Sequence, residues 1–149
     1  LKKKKKKKKR RRLLVITDGN TTFLEAYQKT GRIFNVTAVS DKHRAILLNY
    51  KTTPNVVIWS AVIASSSLPL MMKPSPLMEK LPNGDIQKFL RFGKCWADGS
   101  IQMDLPTQKL LEALHVKFTL CVQCNPHVFS FYFDARGTPK FSFVFFVFF

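Results

Sequence analysis

The chain has 149 residues and a formal charge of +16, from 25 Lys plus Arg against 9 Asp plus Glu. Lys2 to Arg12 hold eleven of those cations and the last nine residues hold six of the fourteen phenylalanines, so the composition divides into a basic head (1–12), a middle (13–140) and an aromatic tail (141–149). Three cysteines exclude a disulfide-stapled scaffold, the mixed apolar middle excludes collagen, coiled coil and a wholly disordered chain, and no stretch approaches the roughly 20 apolar residues of a membrane-spanning helix.

Without the head, 14 basic and 9 acidic residues remain, a net of only +5. The middle is long enough for one domain with one core and too short for two comfortable ones. No long apolar run follows the basic head, so a secretory signal is not expected. A reducing, intracellular location such as the cytoplasm is expected.

Thr22-Phe-Leu-Glu25 predicts a capping box, in which the Thr22 hydroxyl accepts from the third helical N–H and Glu25 reaches back to the cap. The helix is expected to run to about Thr30, with Gly31 as a left-handed C-terminal cap. Arg32 to Val39 alternates with period two, Phe34, Val36 and Ala38 against Asn35 and Thr37, which predicts a strand. A polar turn over Ser40–His43 leads to a second strand candidate, Ala45–Tyr50.

Thr53 and Pro54 predict the start of the next helix, Thr53 as cap and Pro54 in the first turn. Asn55–Ser66 is apolar or small nearly all round, so a helix here has to be buried on most sides. Pro69, Pro74, Pro76 and Pro82 predict a loop-rich excursion, with Asn83-Gly84 as a tight turn. Lys94–Ala97 reads as a short strand entering Asp98-Gly99. Asp104-Leu-Pro106 then opens a helix ending near His115, with Leu110, Leu111 and Leu114 on its buried face. Phe118, Leu120 and Val122 alternate with Lys117, Thr119 and Cys121 and predict a last strand. This order of elements argues for an α/β layered domain with a mostly parallel sheet.

Several blocks of sequence resemble the patatin-like phospholipase and triacylglycerol lipase family, in its fungal and plant oil-mobilising branch. They are Thr22-Phe-Leu-Glu-Ala-Tyr-Gln-Lys-Thr-Gly-Arg-Ile-Phe-Asn-Val36, Pro54-Asn-Val-Val-Ile-Trp-Ser-Ala-Val-Ile-Ala-Ser65 with Leu68-Pro69, Trp96-Ala-Asp-Gly-Ser100, Asp104-Leu-Pro106, and Asn125-Pro-His127. The resemblance spans about Asp18 to Phe131 and covers the C-terminal part of the patatin domain only. It implies a partial three-layer patatin-type fold and a Ser–Asp dyad that hydrolyses acyl esters of triacylglycerol or phospholipid. A lipid is then the expected partner, with a lipid-droplet or membrane surface as the setting.

Within that resemblance Asp98, in the motif Asp98, Gly99, Ser100, is the expected catalytic base. A serine hydroxyl is a weak nucleophile, and a positioned base has to take its proton as it attacks the ester carbonyl. In a dyad the carboxylate does this directly. No nucleophile is expected in this chain: none of Ser40, Ser60, Ser65, Ser66, Ser67, Ser75, Ser100, Ser130 and Ser142 has Gly at both −2 and +2. The family carries that elbow, and the Gly-rich loop of the oxyanion hole, N-terminal to the position of Thr22. The chain alone is therefore expected to be inactive. It also departs from the family at Leu70, where glycine usually follows the Leu68-Pro69 pair.

Other readings carry less. Cys121-x-x-Cys124-x-x-His127, with Cys95 as a fourth ligand, suggests zinc, but positions i and i+3 of a strand face opposite sides and no second close ligand pair is present. Buried thiols are the simpler reading, and neither metal nor cofactor is expected. His43 and His115 have no partner at a readable spacing, so a Ser-His-Asp triad is not supported. Glu25 and Asp104 read as capping groups, Asn125 and His127 as organisers of a turn, and Trp59 and Trp96 as core or pocket-wall aromatics. The basic head lacks interleaved aromatic residues, which argues against nucleic acid. A non-enzymatic fragment or binding module with an electrostatic arm is the alternative. Adenine-rich and thymine-rich coding tracts would also yield a Lys run and a Phe run.

Overall fold

A computed structural model of the chain describes residues 11–42, 44–68, 72–100 and 102–122. Most of the basic head, the aromatic tail, His43, Pro69, Leu70, Cys124, Asn125 and His127 lie outside the described residues. The chain divides after Asp104 into two units, each described by itself.

The first unit opens with a helical segment at residues 11–16, closed by Asp18 and Gly19 in left-handed conformations at φ 52° and 73°. Helix α1 (Phe23–Thr30) follows with the expected capping box complete. The Glu25 N–H donates to Thr22 Oγ1 at 3.2 Å, and the Thr22 N–H donates to Glu25 Oε2 at 2.9 Å. Gly31 ends the helix at φ 66°, its N–H donating to the Tyr27 carbonyl. Both ends of α1 are thus where local chemistry puts them.

Strand β1 (Val36–Ser40) turns Val36, Ala38 and Ser40 inward. It pairs with β2 (Ala45–Leu48) on one side and with β5 (Trp96–Asp98) on the other, giving the order β2-β1-β5. Strands β3 (Met78–Lys80) and β4 (Ile86–Lys88) form a separate hairpin, turned at Gly84 with φ 88°. The expectation of a mostly parallel sheet is overturned for the described residues: every strand pairing among them is antiparallel. The connection from β1 to β2 is only residues 41–44, whereas parallel neighbours need a crossover of a dozen or more residues. The architecture is mixed α/β with small antiparallel sheets.

Helix α2 (Ile58–Ser65) packs on β1 and β5 and is buried on most sides, as its apolar run requires. Ala61 and Ala64, fully buried one turn apart, join Ala38 and Trp96 in the main core cluster. Val57, Trp59 and Ile63 form a second cluster with Leu13, Leu14, Met78 and Ile86. The start of α2 differs from expectation. Its cap is Val57 with no side-chain bond, and Thr53-Pro54 lies in a preceding turn. The reason is Asn49, fully buried at the end of β2. Its Oδ1 accepts from the N–H groups of Lys51 and Thr52, its Nδ2 donates to Asn35 Oδ1, and its carbonyl accepts the Thr53 N–H and hydroxyl. Thr53 is spent on that turn before it can cap a helix.

In the second unit, α3 (Thr107–Leu114) starts after Pro106 without a side-chain cap and ends at His115 in the left-handed conformation. No residue of it is buried: Leu110 and Leu114 are half-buried and Leu111 is exposed, so the expected buried leucine face is corrected. Asp104 does not provide the cap. The expected strand over Lys117–Val122 lies outside any named strand: only Cys121 sits in a β-bridge, and it is buried while Phe118, Leu120 and Val122 are exposed. Alternation made it a strand candidate, but the face it put inward is the exposed one, and bridging is assigned at Cys121 alone among these residues. Among the described residues no helix is long and apolar enough to cross a membrane.

Candidate active site

The Asp98-Gly99-Ser100 stretch leaves the end of β5, where Asp98 stands opposite Ala38 of β1. Both flanking supports are backbone contacts. The Asp98 N–H donates to the Ser67 carbonyl, just beyond α2, at 3.0 Å, and Trp96 exchanges two hydrogen bonds with Ser75 at 2.8 and 2.9 Å. Trp96 itself is fully buried in the main core cluster. The strand that delivers Asp98 is therefore clamped by β1, by the segment around Ser75 and by the residue following α2.

The carboxylate is half-buried, and its Oδ1 accepts the Ser100 N–H at 2.9 Å. This short loop, in which an aspartate bonds its own backbone two residues on, fixes one carboxylate oxygen. Oδ2 accepts no hydrogen bond from the described residues. The arrangement is that of an oriented carboxylate with one oxygen held by the loop backbone.

Gly99 is needed here for space. Its φ is not in the left-handed region, but a Cβ added to it would lie 2.9 Å from Ala38 N and Thr37 C and 3.0 Å from Thr37 Cβ. Two of those three atoms belong to rigid strand backbone. The tertiary structure thus gives Gly99 a close approach to β1. The carbonyl of Gly99 then accepts from the N–H groups of Gln102 and Met103 at 3.1 and 2.8 Å, closing the loop.

No serine hydroxyl among the described residues bonds to the Asp98 carboxylate; Ser100 reaches it through its backbone N–H. Ser60 Oγ donates to the Val57 carbonyl at 2.7 Å and accepts the Met78 N–H at 3.0 Å, which ties α2 to β3. Ser66 and Ser67 donate back to the carbonyls of Val62 and Ile63. Ser40 Oγ and Trp96 Nε1, side by side across β1 and β5, are buried without a hydrogen-bond partner. Ser130 and Ser142 lie outside the described residues. His115 is an exposed helix end, and His43 is likewise outside.

Of the other candidates, Glu25 is a capping group with a second role. Lys80 Nζ donates to its Oε1 at 2.7 Å, tying α1 to the β3-β4 hairpin. That bond, together with the Thr22 bonds, holds the Glu25 carboxyl below its ordinary range against the opposing effect of burial. The pair lines an open groove of about 350 Å³ with Thr22, Leu24, Asn55 and Pro82. A neighbouring cleft of about 170 Å³ is lined by Thr53, Asn55, Glu79, Phe89 and Arg91. Neither includes Asp98. Nothing in the sequence pattern marked them, because the hairpin that walls both was read as loop. Trp59 and Trp96 are core residues, and the Trp59 indole N–H donates to Asn20 Oδ1 at 3.0 Å. Of the four residues in the zinc reading, Cys124 and His127 lie outside the described residues. Cys95 is an exposed thiol and Cys121 is buried.

Comparison with known proteins gives a consistent set of relatives. The chain is 48% identical to a patatin-like phospholipase domain-containing protein of Aspergillus niger over 122 residues, which cover 80% of this chain and 16% of the relative. A protein of the same description from Coccidioides immitis is 46% identical over 122 residues, again 80% of this chain and 17% of its own length. One from Emericella nidulans is 48% identical over 121 residues, 80% of this chain and 16% of its own length. The chain thus spans about a sixth of the length of the curated relatives it matches. No family model matches it, and no solved structure matches it.

Proposed function

The chain is homologous to a partial region of the patatin-like phospholipase domain-containing proteins, and from that premise we propose that it supplies the base of a Ser–Asp dyad in a lipid acyl hydrolase. Asp98 is that base. The observation that supports it is the geometry at the end of β5: a half-buried Asp98 with Oδ1 held by the Ser100 N–H and no hydrogen bond to Oδ2 from the described residues. The relatives' shared description as patatin-like phospholipase proteins supports the substrate class.

In this reading a serine from sequence outside the chain attacks the carbonyl carbon of a triacylglycerol or phospholipid ester. Its hydroxyl proton passes to Asp98 as the new C–O bond forms, and backbone amides outside the chain hold the tetrahedral oxyanion. Collapse breaks the bond to the alcohol, which leaves with the proton from Asp98. A water, deprotonated by the same carboxylate, then releases the fatty acid and regenerates the serine. Asp98 works as a fixed acceptor because the backbone around it is clamped by β1, Ser67 and Ser75.

The 149-residue chain by itself should not hydrolyse a short-chain nitrophenyl ester. Fused behind the segment of a relative that carries a Gly-x-Ser-x-Gly elbow, it should, and Asp98→Asn should lower the rate about 10³-fold. Hydrolysis by the isolated chain, or a fusion indifferent to Asp98→Asn, would overturn the assignment.

A further inference from the structure

We propose that the helical segment at residues 11–16 is a docking face for anionic lipid bilayers, and that it does so whatever ester chemistry the domain performs. At 100° per residue Arg11 and Val15, and likewise Arg12 and Ile16, are i,i+4 neighbours, so these four side chains share one face. Leu13 and Leu14 occupy the opposite face and pack against the cluster of Val57, Trp59 and Ile63. The burial agrees with this geometry: Val15 is 83% and Ile16 77% exposed, more than any other large apolar residue among those described.

Two adjacent aliphatic side chains in water, one turn beyond two arginines, are costly on a free surface and favourable at a membrane interface. There the aliphatic tips enter the boundary between headgroups and acyl chains, and the guanidinium groups stay among the phosphates. Lys2–Arg10 add nine cations directly before this face. Charge complementarity therefore selects an anionic bilayer, since each cation near such a surface adds to the attraction. Nucleic acid would be drawn by the same charge, but it offers Val15 and Ile16 nothing to bury against, and the face has no aromatic residue on which a base could stack.

The face is also firmly mounted. Its helical turn ends at Asp18 and Gly19, Asp18 is bound by Lys29 at 2.9 Å, and Asn20 accepts from the Trp59 indole at 3.0 Å. Docking through residues 11–16 would therefore orient the first unit on the bilayer, in contrast to a loose basic tether.

The full chain, mixed with vesicles of phosphatidylcholine alone or with about one third phosphatidylserine, should sediment with the anionic vesicles at least about tenfold more strongly. V15S/I16S should weaken that partition about tenfold at fixed salt and leave its salt dependence unchanged. R11Q/R12Q should make the salt dependence shallower by about a fifth, two of eleven cations being removed. As a readout insensitive to folding losses, I16W should add emission that shifts to the blue only with anionic vesicles. Equal partition to both vesicles, a V15S/I16S chain that binds as wild type, or an I16W chain with no shift overturns the proposal. So does tighter binding to an RNA oligonucleotide than to the anionic vesicles, undiminished by V15S/I16S.

Discussion

Helices α1 and α3 are both eight residues long and both carry an apolar stripe, yet only α1 is tied into a core. α1 has a reciprocal capping box, a left-handed glycine at its end, a buried Phe23 and a bridge from Glu25 to Lys80 on the hairpin. Tyr27 stacks on Tyr50 at 4.2 Å between ring centroids. α3 starts without a side-chain cap, ends on a non-glycine left-handed residue, His115 at φ 56°, and buries no side chain. An amphipathic pattern is therefore necessary for a packed helix and insufficient. What separates the two is whether other elements arrive to cover the stripe, and most helical stability in proteins comes from that covering.

The contrast can be broken in order of effect. Trp96→Ala, which empties the fully buried centre of the first unit, should cost about 4 kcal/mol in denaturant melts. A loss under about 1 kcal/mol would mean that the β5 clamp does not hold the unit together. Gly99→Ala should cost about 2 kcal/mol, because the added methyl meets the backbone of Thr37 and Ala38, and should lower hydrolysis by any nucleophile-completed fusion more than Gly84→Ala does. Thr22→Ala removes half of the capping box and should cost about 1 kcal/mol. Leu111→Ala, on the exposed stripe of α3, should change stability by no more than about 0.5 kcal/mol; a larger loss would show that α3 is covered after all.

A further effect is electrostatic. Lys80 and Thr22 hold the folded-state pKa of Glu25 below its unfolded value. Its contribution is then fully present above the unfolded value, about 4.3, and is lost as pH falls through the folded one. Because the Glu25 side chain is 40% exposed, solvent screens the bridge, and Glu25→Gln should cost less than about 1 kcal/mol at pH 7. The same variant should lose part of the decline in stability between about pH 5 and pH 3. A mutant curve parallel to wild type over that range would remove the bridge from the account of α1.

How much was legible in sequence varied with how local the cause was. The capping box at Thr22 and Glu25, the αL cap at Gly31, the inward alternation of Val36 and Ala38 (Phe34, expected with them, is exposed ahead of the strand), the burial of Ile58–Ser65 and the Asn83-Gly84 turn all follow from residues within a few positions of one another. The start of α2 did not, because Thr53 is held by Asn49 and not by the helix it precedes. The hairpin β3-β4 was hidden by the prolines around it. The strand over Lys117–Val122 was over-read: alternation put Phe118, Leu120 and Val122 inward, whereas the buried, bridged residue is Cys121. At the candidate site, motif resemblance marked Asp98 and Gly99, and only the fold showed the close approach of Gly99 to β1, about sixty residues away along the chain.

By itself, then, the sequence determined the ends of α1, the inward face of β1 and the identity of the carboxylate at the end of β5, because caps, pleats and short motifs are set by neighbours along the chain. It also separated the charge of the head from the near-neutral middle. Only the tertiary structure decided the direction of the strands, the clamping of β5 between β1, Ser75 and Ser67, the close approach that excludes a side chain at Gly99, and the exposure of Val15 and Ile16 beside two arginines. Those depend on which distant segments meet, and pairing and packing energies act between elements whose separation along the chain the local pattern does not encode.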